Sequence, residues 1–311
     1  MKIAVMGTGG VGGYFGGLLA RKGHQVTYIA RGAHMSAINE SGLRVESQLD
    51  GEFSAPGKAM DRPAPAGFQD LILFTVKMYH NASAIDTIRP LVGPNTVVLT
   101  LQNGIDNGDQ LSEAFGHDLV MIGSAYMEGR IKEPGVVTQG GPGMAVFGEM
   151  EPGITPRGQR LLNEFQDAGW RVNLADNMPG MLWKKFAYIA GSAAVNAATD
   201  TGYAEMRTIP ETRELVKATI EEALSVGRAL GSPIMEDSME WAMTSLDNFP
   251  AQGRASLAKD FQEGRPVELD GLTGAVIRLG KRARVPTPLN EALYAILKPW
   301  ALRIEDSQKR F

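Results

Sequence analysis

Cysteine is absent from the 311-residue chain, which excludes disulfides, Cys-ligated zinc and thiol nucleophiles. Histidine is scarce: His24, His34, His80 and His117 are the whole set, and they show no spacing of a zinc-binding helix. Neither a G-x-S-x-G elbow nor a G-x-x-x-x-G-K-[ST] loop occurs, so serine hydrolase and P-loop chemistry are not expected. Charge of one sign is also lacking. The formal net charge is −4, without a long basic or acidic run, which argues against nucleic-acid binding. An anionic ligand must therefore be met by local cations. No uncharged apolar span reaches the ~18 residues of a membrane helix. The N-terminal residues run directly into a strand-like segment, without the charged and long apolar regions of a signal peptide. Cytoplasmic residence, with no membrane partner, is the expectation.

What is present is an ordinary globular composition, 43% hydrophobic and 21% charged, in a chain long enough for two domains. Short apolar runs alternate with helical or loop segments through the first half, the pattern of a parallel sheet flanked by helices. The runs are Lys2–Met6, Gln25–Ile29, Leu71–Val76, Thr96–Leu101, Asp118–Ile122 and Trp170–Leu174, with helical spacing over Gly12–Lys22. Residues 134–148 are Gly-rich with alternating apolar positions and read as strands and turns. Beyond about Asn177 the strand-like runs stop. Helical patterns cover Gly180–Ala198, Glu211–Leu230, Pro233–Phe249, Val267–Arg282 and Thr287–Ala301, and the last ten residues are expected to fray. The predicted organisation is a Rossmann-type doubly wound α/β domain over residues 1–176, followed by an all-helical domain over 177–311.

Gly7-Thr8-Gly9-Gly10-Val11-Gly12 fits G-x-G-x-x-G between the first strand and the first helix. Its glycines permit a tight turn and close backbone approach to a dinucleotide pyrophosphate at the helix N-terminus. The second strand ends at Arg31 rather than an acidic residue. That suits the 2′-phosphate of NADP(H), although a solvated surface arginine is the alternative. Lys77 and Asn103 follow apolar strands, where a doubly wound sheet binds its ligand. Asn103-Gly104 also fits an ordinary turn. Asn81-Ala82-Ser83 has the form of a glycosylation acceptor and is taken as chance.

Lys185, Ser192 and Asn196 point within about 40° of one another on their helix. That helix carries no charge from Phe186 onward, so it should be buried and its polar stripe needs a partner or a cavity. Lys185 is placed in the first turns, where the helix dipole lowers a lysine pKa and suits it to proton donation. A lysine snorkelling to water is the alternative. Glu268 shares a helical face with Leu272, Ala275 and Leu279, whereas Asp270 points to solvent. A buried carboxylate must be paired or line a pocket; a helix-start glutamate favoured by the dipole is the other reading.

The chain resembles the ketopantoate reductase (2-dehydropantoate 2-reductase) family over nearly its whole length. The resemblance is carried by Gly7–Gly12, Arg31, Val76-Lys77, Gln102-Asn103-Gly104 and Trp183-Lys184-Lys185-Phe186. It continues through Ala204-Glu205-Met206-Arg207, the Ser256-to-Glu268 spacing and Val285-Pro286-Thr287-Pro288. It implies NADPH-dependent reduction of a 2-oxo acid to a 2-hydroxy acid, 2-dehydropantoate to pantoate or a close analogue, as in pantothenate biosynthesis. By the same resemblance Lys185 is the proton donor and Glu268 acts beside it. Asn103 lies by nicotinamide and substrate, Ser256 binds the substrate carboxylate, and Gly129 and Glu268 join the cofactor set. Ser192 and Asn196 are counted as substrate-side polar groups, and a homodimer is implied. Pantoate-forming members carry Asn four and eight residues after the catalytic lysine; here Ile189 and Ala193 stand there, so another 2-oxo acid or ketone stays open. A non-catalytic NADP-binding sensor or scaffold is the reading from another class.

Overall fold

The computed structural model describes residues 1–308, which divide into two compact units, Met1–Met178 and a second that begins at Pro179. The first unit holds strands β1 (Lys2–Met6), β2 (Gln25–Ile29), β3 (Leu43–Ser47), β4 (Gly51–Ala55), β5 (Lys58–Met60), β6 (Leu71–Phe74), β7 (Val97–Thr100), β8 (Val120–Glu133), β9 (Val136–Gly148) and β10 (Arg171–Leu174). Its helices are α1 (Gly10–Lys22), α2 (Gly32–Ser41), α3 (Asn81–Ile88), α4 (Asn107–Phe115) and α5 (Pro156–Asp167). One mixed sheet runs β4-β3-β9-β8-β7-β6-β1-β2-β5, with β10 also paired to β9. Within it, β5-β2-β1-β6-β7-β8 is a parallel block with the strand order of the dinucleotide-binding fold.

The two-residue period of a strand explains why this sheet is covered on both faces. On β1, Ile3 and Val5 point into a cluster with Tyr14, Phe15, Leu18 and Leu19 of α1. Ala4 and Met6 point into the opposite cluster, with Ala84 and Ile88 of α3 and Leu111 of α4.

Three short strands, β3 to β5, carry no clear pattern in the sequence and were not anticipated. Asp50-Gly51 marks the β3–β4 turn, where Gly51 takes φ +70° and Ser47 Oγ accepts the N–H groups of Leu49 and Asp50. This is the expected chemistry of a hairpin turn. The strand expected from Asp118 begins at Val120, because His117–Leu119 form a 3-10 turn.

The second unit is helical: α6 (Met178–Thr199), α7 (Tyr203–Thr208), α8 (Pro210–Ala229), α9 (Ser238–Asn248), α10 (Ser256–Gln262), α11 (Thr273–Ala283) and α12 (Pro288–Gln308). Helix α8 is its axis, with Val216, Ile220, Ala223, Leu224 and Val226 fully buried. Gly227 lets the Trp183 ring of α6 approach: a Cβ there would stand 2.9 Å from the indole. The Glu222 carboxylate accepts the N–H groups of Leu289 and Asn290 at 2.8 and 3.0 Å, capping the exposed donors at the start of α12.

Several helix boundaries differ from expectation. The α9 helix begins at Ser238, not Pro233. The pattern read over Val267–Arg282 becomes helical only from Thr273, because Leu272 adopts a non-helical φ −103°, ψ −92°. Glu268 therefore lies in the turn before α11. At the other end, α12 continues through Gln308 because Ala301 and Ile304 are buried; of the ten residues expected to fray, 309–311 lie outside the described residues. Among the described residues, no helix is long and apolar enough to cross a membrane.

Candidate active site

The glycine loop follows β1, and each of its glycines meets a different steric demand. Gly7 takes φ +99°, and a Cβ there would stand 2.7 Å from the Val76 backbone nitrogen. A Cβ on Gly12 would stand 2.3 Å from the Gly7 carbonyl and 2.4 Å from Thr75 Oγ1. Gly10 faces Gly129 of β8, where a Cβ would stand 2.2 Å from the Gly129 carbonyl carbon. Gly129, expected in the cofactor set, thus serves close backbone packing of the loop on β8. Gly9 differs: it is the N-cap of α1, and no atom lies within 4 Å of its Cβ direction. Helix α1 has no side-chain cap and no acidic residue in its first turn, so its N-terminal donors and dipole are open to an anion.

Thr8 is buried, with its hydroxyl donating to the Ile29 carbonyl at 3.2 Å. The Thr8 carbonyl lies 2.9 Å from His34 Nε2, while His34 Nδ1 accepts the Gly135 N–H at 3.0 Å. Those two bonds assign the ring proton to Nε2, and burial holds the His34 pKa below its usual value. Val11 is half-buried against the α1-side core. Of the six loop residues, Gly9 and the α1 N-terminus are therefore what faces outward.

Arg31, Lys77 and Asn103 follow β2, β6 and β7 and stand at the same carboxyl edge as the glycine loop after β1. Arg31 is exposed, pairs with no acid among the described residues, and is the N-cap of α2, whose first turn also lacks an acid. Lys77 is exposed and precedes the 3-10 turn Met78–His80. Asn103 is half-buried, and its carbonyl accepts from Asn107 Nδ2 at 2.7 Å. Gly104 takes φ +101°, so Asn103-Gly104 is a turn as well as a strand-end position. This edge can hold an extended, phosphate-bearing ligand.

In the helical unit, the adjacent lysines of α6 have different surroundings. Lys184 is buried, 2.5 Å from the Asp237 carboxylate and 5.5 Å from the Trp241 ring centre. Lys185 is half-buried as a residue, and desolvation lowers the pKa of its ammonium to about 7. The cause differs from the expected one. Because α6 begins at Met178, Lys185 lies beyond the first turn, where the dipole acts; desolvation lowers the pKa instead.

The polar stripe beyond Lys185 is spent internally. Ser192, fully buried, donates to the Tyr188 carbonyl at 2.6 Å. Asn196, also fully buried, donates to the Thr201 carbonyl at 2.6 Å and accepts the Ala255 N–H at 2.9 Å. In both residues the polar group of an apolar helix is satisfied by nearby backbone. Asn196 fixes the start of α10, where Ser256 is exposed as the first helical residue. Glu268 is 7% exposed, and its carbonyl accepts the Leu272 N–H at 3.0 Å. Asp270 is exposed and pairs with Lys298 at 3.0 Å.

Comparison with known proteins identifies the family. The model of the family described as ketopantoate reductase PanE/ApbA matches residues 3–152, and the model of its C-terminal region matches residues 177–301. A 2-dehydropantoate 2-reductase of Pyrococcus horikoshii is 28% identical, with 96% of this chain and 97% of the relative covered. The crystal structure of a PanE/ApbA family ketopantoate reductase from Ralstonia eutropha is 32% identical, with a TM-score of 0.89 and coverage of 98% and 100%. A D-mandelate dehydrogenase, solved with NADH and anilino(oxo)acetate, shares the fold at 22% identity and TM-score 0.88, covering 98% of this chain and all of its own. With both family models matched in order across most of its length, this chain belongs to the ketopantoate reductase PanE/ApbA family of nicotinamide-dependent oxidoreductases.

Proposed function

We propose that this protein reduces a small 2-oxo acid to the 2-hydroxy acid at the expense of NADPH, with 2-dehydropantoate or a close analogue as substrate. The observation that carries the reading is Lys185, whose desolvated ammonium has a pKa of about 7. A group poised near neutrality both holds a proton and releases it readily, which is what protonation of a developing alkoxide requires. A non-catalytic sensor has no use for such a lysine.

The residues present fit the cofactor. The α1 N-terminus and the open face of Gly9 suit a pyrophosphate. Arg31 stands where an NAD-preferring site would carry an acid, and suits a 2′-phosphate. Lys77 and Asn103 extend the same edge. When bound, the reduced nicotinamide supplies the hydride.

The chain supplies the rest. Lys185 Nζ gives a proton to the carbonyl oxygen as negative charge gathers there, and regains one from solvent. Asn103 offers its side-chain amide to orient the reacting group, Ser256 offers a hydroxyl to the substrate carboxylate, and Glu268 contributes a carboxylate to ligand binding. Ala193 is buried and Ile189 half-buried on α6, where pantoate-forming members carry Asn. That favours an analogue with a less polar side chain.

The test is a screen of 2-dehydropantoate and 2-oxo acids with apolar side chains, followed by loss of reduced-nicotinamide absorbance, with Lys185→Ala as control. Turnover of at least one, lost in the variant, is expected. NADPH binding without oxidation by any of them would overturn the reading.

A further inference from the structure

Beneath the loops that carry Lys77 and Asn103 lies a series of buried side-chain amides that the reaction itself does not use. Gln102, Asn81 and Asn107 are 7%, 5% and 4% exposed. Gln102 Nε2 donates to the Val76 carbonyl at 2.6 Å and to Asn81 Oδ1 at 2.8 Å. Asn81 Nδ2 donates onward to Asn107 Oδ1 at 2.8 Å and to Gln110 Oε1 at 3.0 Å. Asn107 Nδ2 ends the series on the Asn103 carbonyl at 2.7 Å. Thr100 Oγ1 satisfies the remaining oxygen, donating to Gln102 Oε1 at 3.0 Å.

Each amide accepts on its oxygen and donates from its nitrogen, so the orientation of one sets the next. The series starts on the residue before Lys77 and finishes on Asn103 itself. A second contact joins the same loops. At Gly104, a Cβ would stand 2.5 Å from Met78 Sδ and 2.9 Å from Asn107 Nδ2. Well-packed apolar residues would fill this space without the desolvation cost of three amides. What apolar residues cannot do is grip two backbone carbonyls at set angles. The Asn81-Ala82-Ser83 triplet, which has the form of a glycosylation acceptor, finds its use here: Asn81 is bonded at both ends of its amide.

We propose that Gln102, Asn81 and Asn107 are positioning residues that lock the Lys77 and Asn103 loops into one rigid edge, with Asn107 setting the angle at which Asn103 presents its amide. The inference rests on the role given to Asn103 under the proposed function.

The test uses Asn107→Asp and Asn107→Ala beside Asn103→Ala in the full chain. In Asn107→Asp the carboxylate still accepts from Asn81 but cannot donate to the Asn103 carbonyl. As the first residue of α4, an acid there is favoured by the helix dipole, which protects folding. Hydrogen exchange of the 103–106 amides is read on the cofactor-free protein, together with melting temperature, NADPH affinity and kcat. Both Asn107 variants should exchange faster at 103–106 than the parent, with β7 unchanged. Their kcat should fall about 10- to 100-fold, the scale of a small misplacement of a reacting group, while NADPH affinity falls less than kcat and the folded fraction stays near parental. If Asn103→Ala is impaired but both Asn107 variants keep parental exchange and kcat, or lose activity only with folded protein, the positioning role is overturned and the site reading stands. If Asn103→Ala itself turns over at the parental rate, the site reading falls and this inference falls with it.

Discussion

Lys184 and Lys185, consecutive on α6, answer the burial of a cation in two ways. Lys184 is held 2.5 Å from Asp237 and keeps a counter-charge, whereas burial of Lys185 brings its pKa to about 7. Pairing keeps the first charged, and desolvation suits the second to the proton-donor role proposed for it.

The two lysines should therefore separate on mutation. Lys185→Ala should cut turnover about 10²–10⁴-fold, the usual contribution of general acid catalysis, with melting temperature and NADPH affinity little changed. Lys184→Ala should cost about 1–3 kcal/mol of stability through lost packing and pairing, with the kcat of the folded fraction near parental. Steady-state kinetics and thermal melts on both variants check the assignment; reversed effects would exchange the two roles.

The pH dependence follows from the same burial. In the free enzyme Lys185 holds its proton below about pH 7, so kcat/KM should fall on the alkaline side of that value, and Lys185→Ala should lose this limb. Stability from this group runs the other way. The unfolded lysine, near pKa 10.5, binds more protons than the folded one above pH 7, so its contribution rises with pH. His24, His34 and His80 are all held below the usual value of 6.5, each mainly by burial. Their unfolded forms take up protons first as pH drops, so stability should decline below about pH 6.5. Denaturant midpoints across about pH 5–9 measure both trends.

Arg31→Ala should weaken NADPH binding by ~1.5–3 kcal/mol, the range for a hydrogen bond to a charged group, and spare NADH. Titration with each cofactor decides this. Equal losses would assign Arg31 another task.

The glycine loop offers a sharper contrast. Gly9→Ala should leave the melting temperature unchanged, because nothing lies within 4 Å of the added methyl, yet weaken cofactor binding by intruding on the pyrophosphate position. Gly12→Ala should cost about 1–3 kcal/mol by overpacking, since its Cβ would stand 2.3 Å from the Gly7 carbonyl. A melt and a cofactor titration on each variant suffice. A Gly9→Ala protein that binds NADPH at parental strength would remove Gly9 from the cofactor site.

Sequence alone determined the parallel core, because buried strands such as Ile72–Phe74 and Val98–Thr100 are apolar runs whose period and length identify them locally. It also placed the glycine loop and Arg31, since a strand, a tight turn and a helix start are all near-neighbour features. Strands β3 to β5 were not legible, because pairing of β3 with the distant β9 overrides their weak local pattern. Only the tertiary structure decided which polar groups are free to act. Ser192 and Asn196 share the Lys185 face by helical period, but period does not reveal that Thr201 and Ala255 fold back to consume the Asn196 amide. Nor does local sequence distinguish Lys184 from Lys185. Their difference lies in Asp237, fifty-three positions along the chain, and in how much water the surrounding helices exclude, which is a property of packing rather than of any single segment.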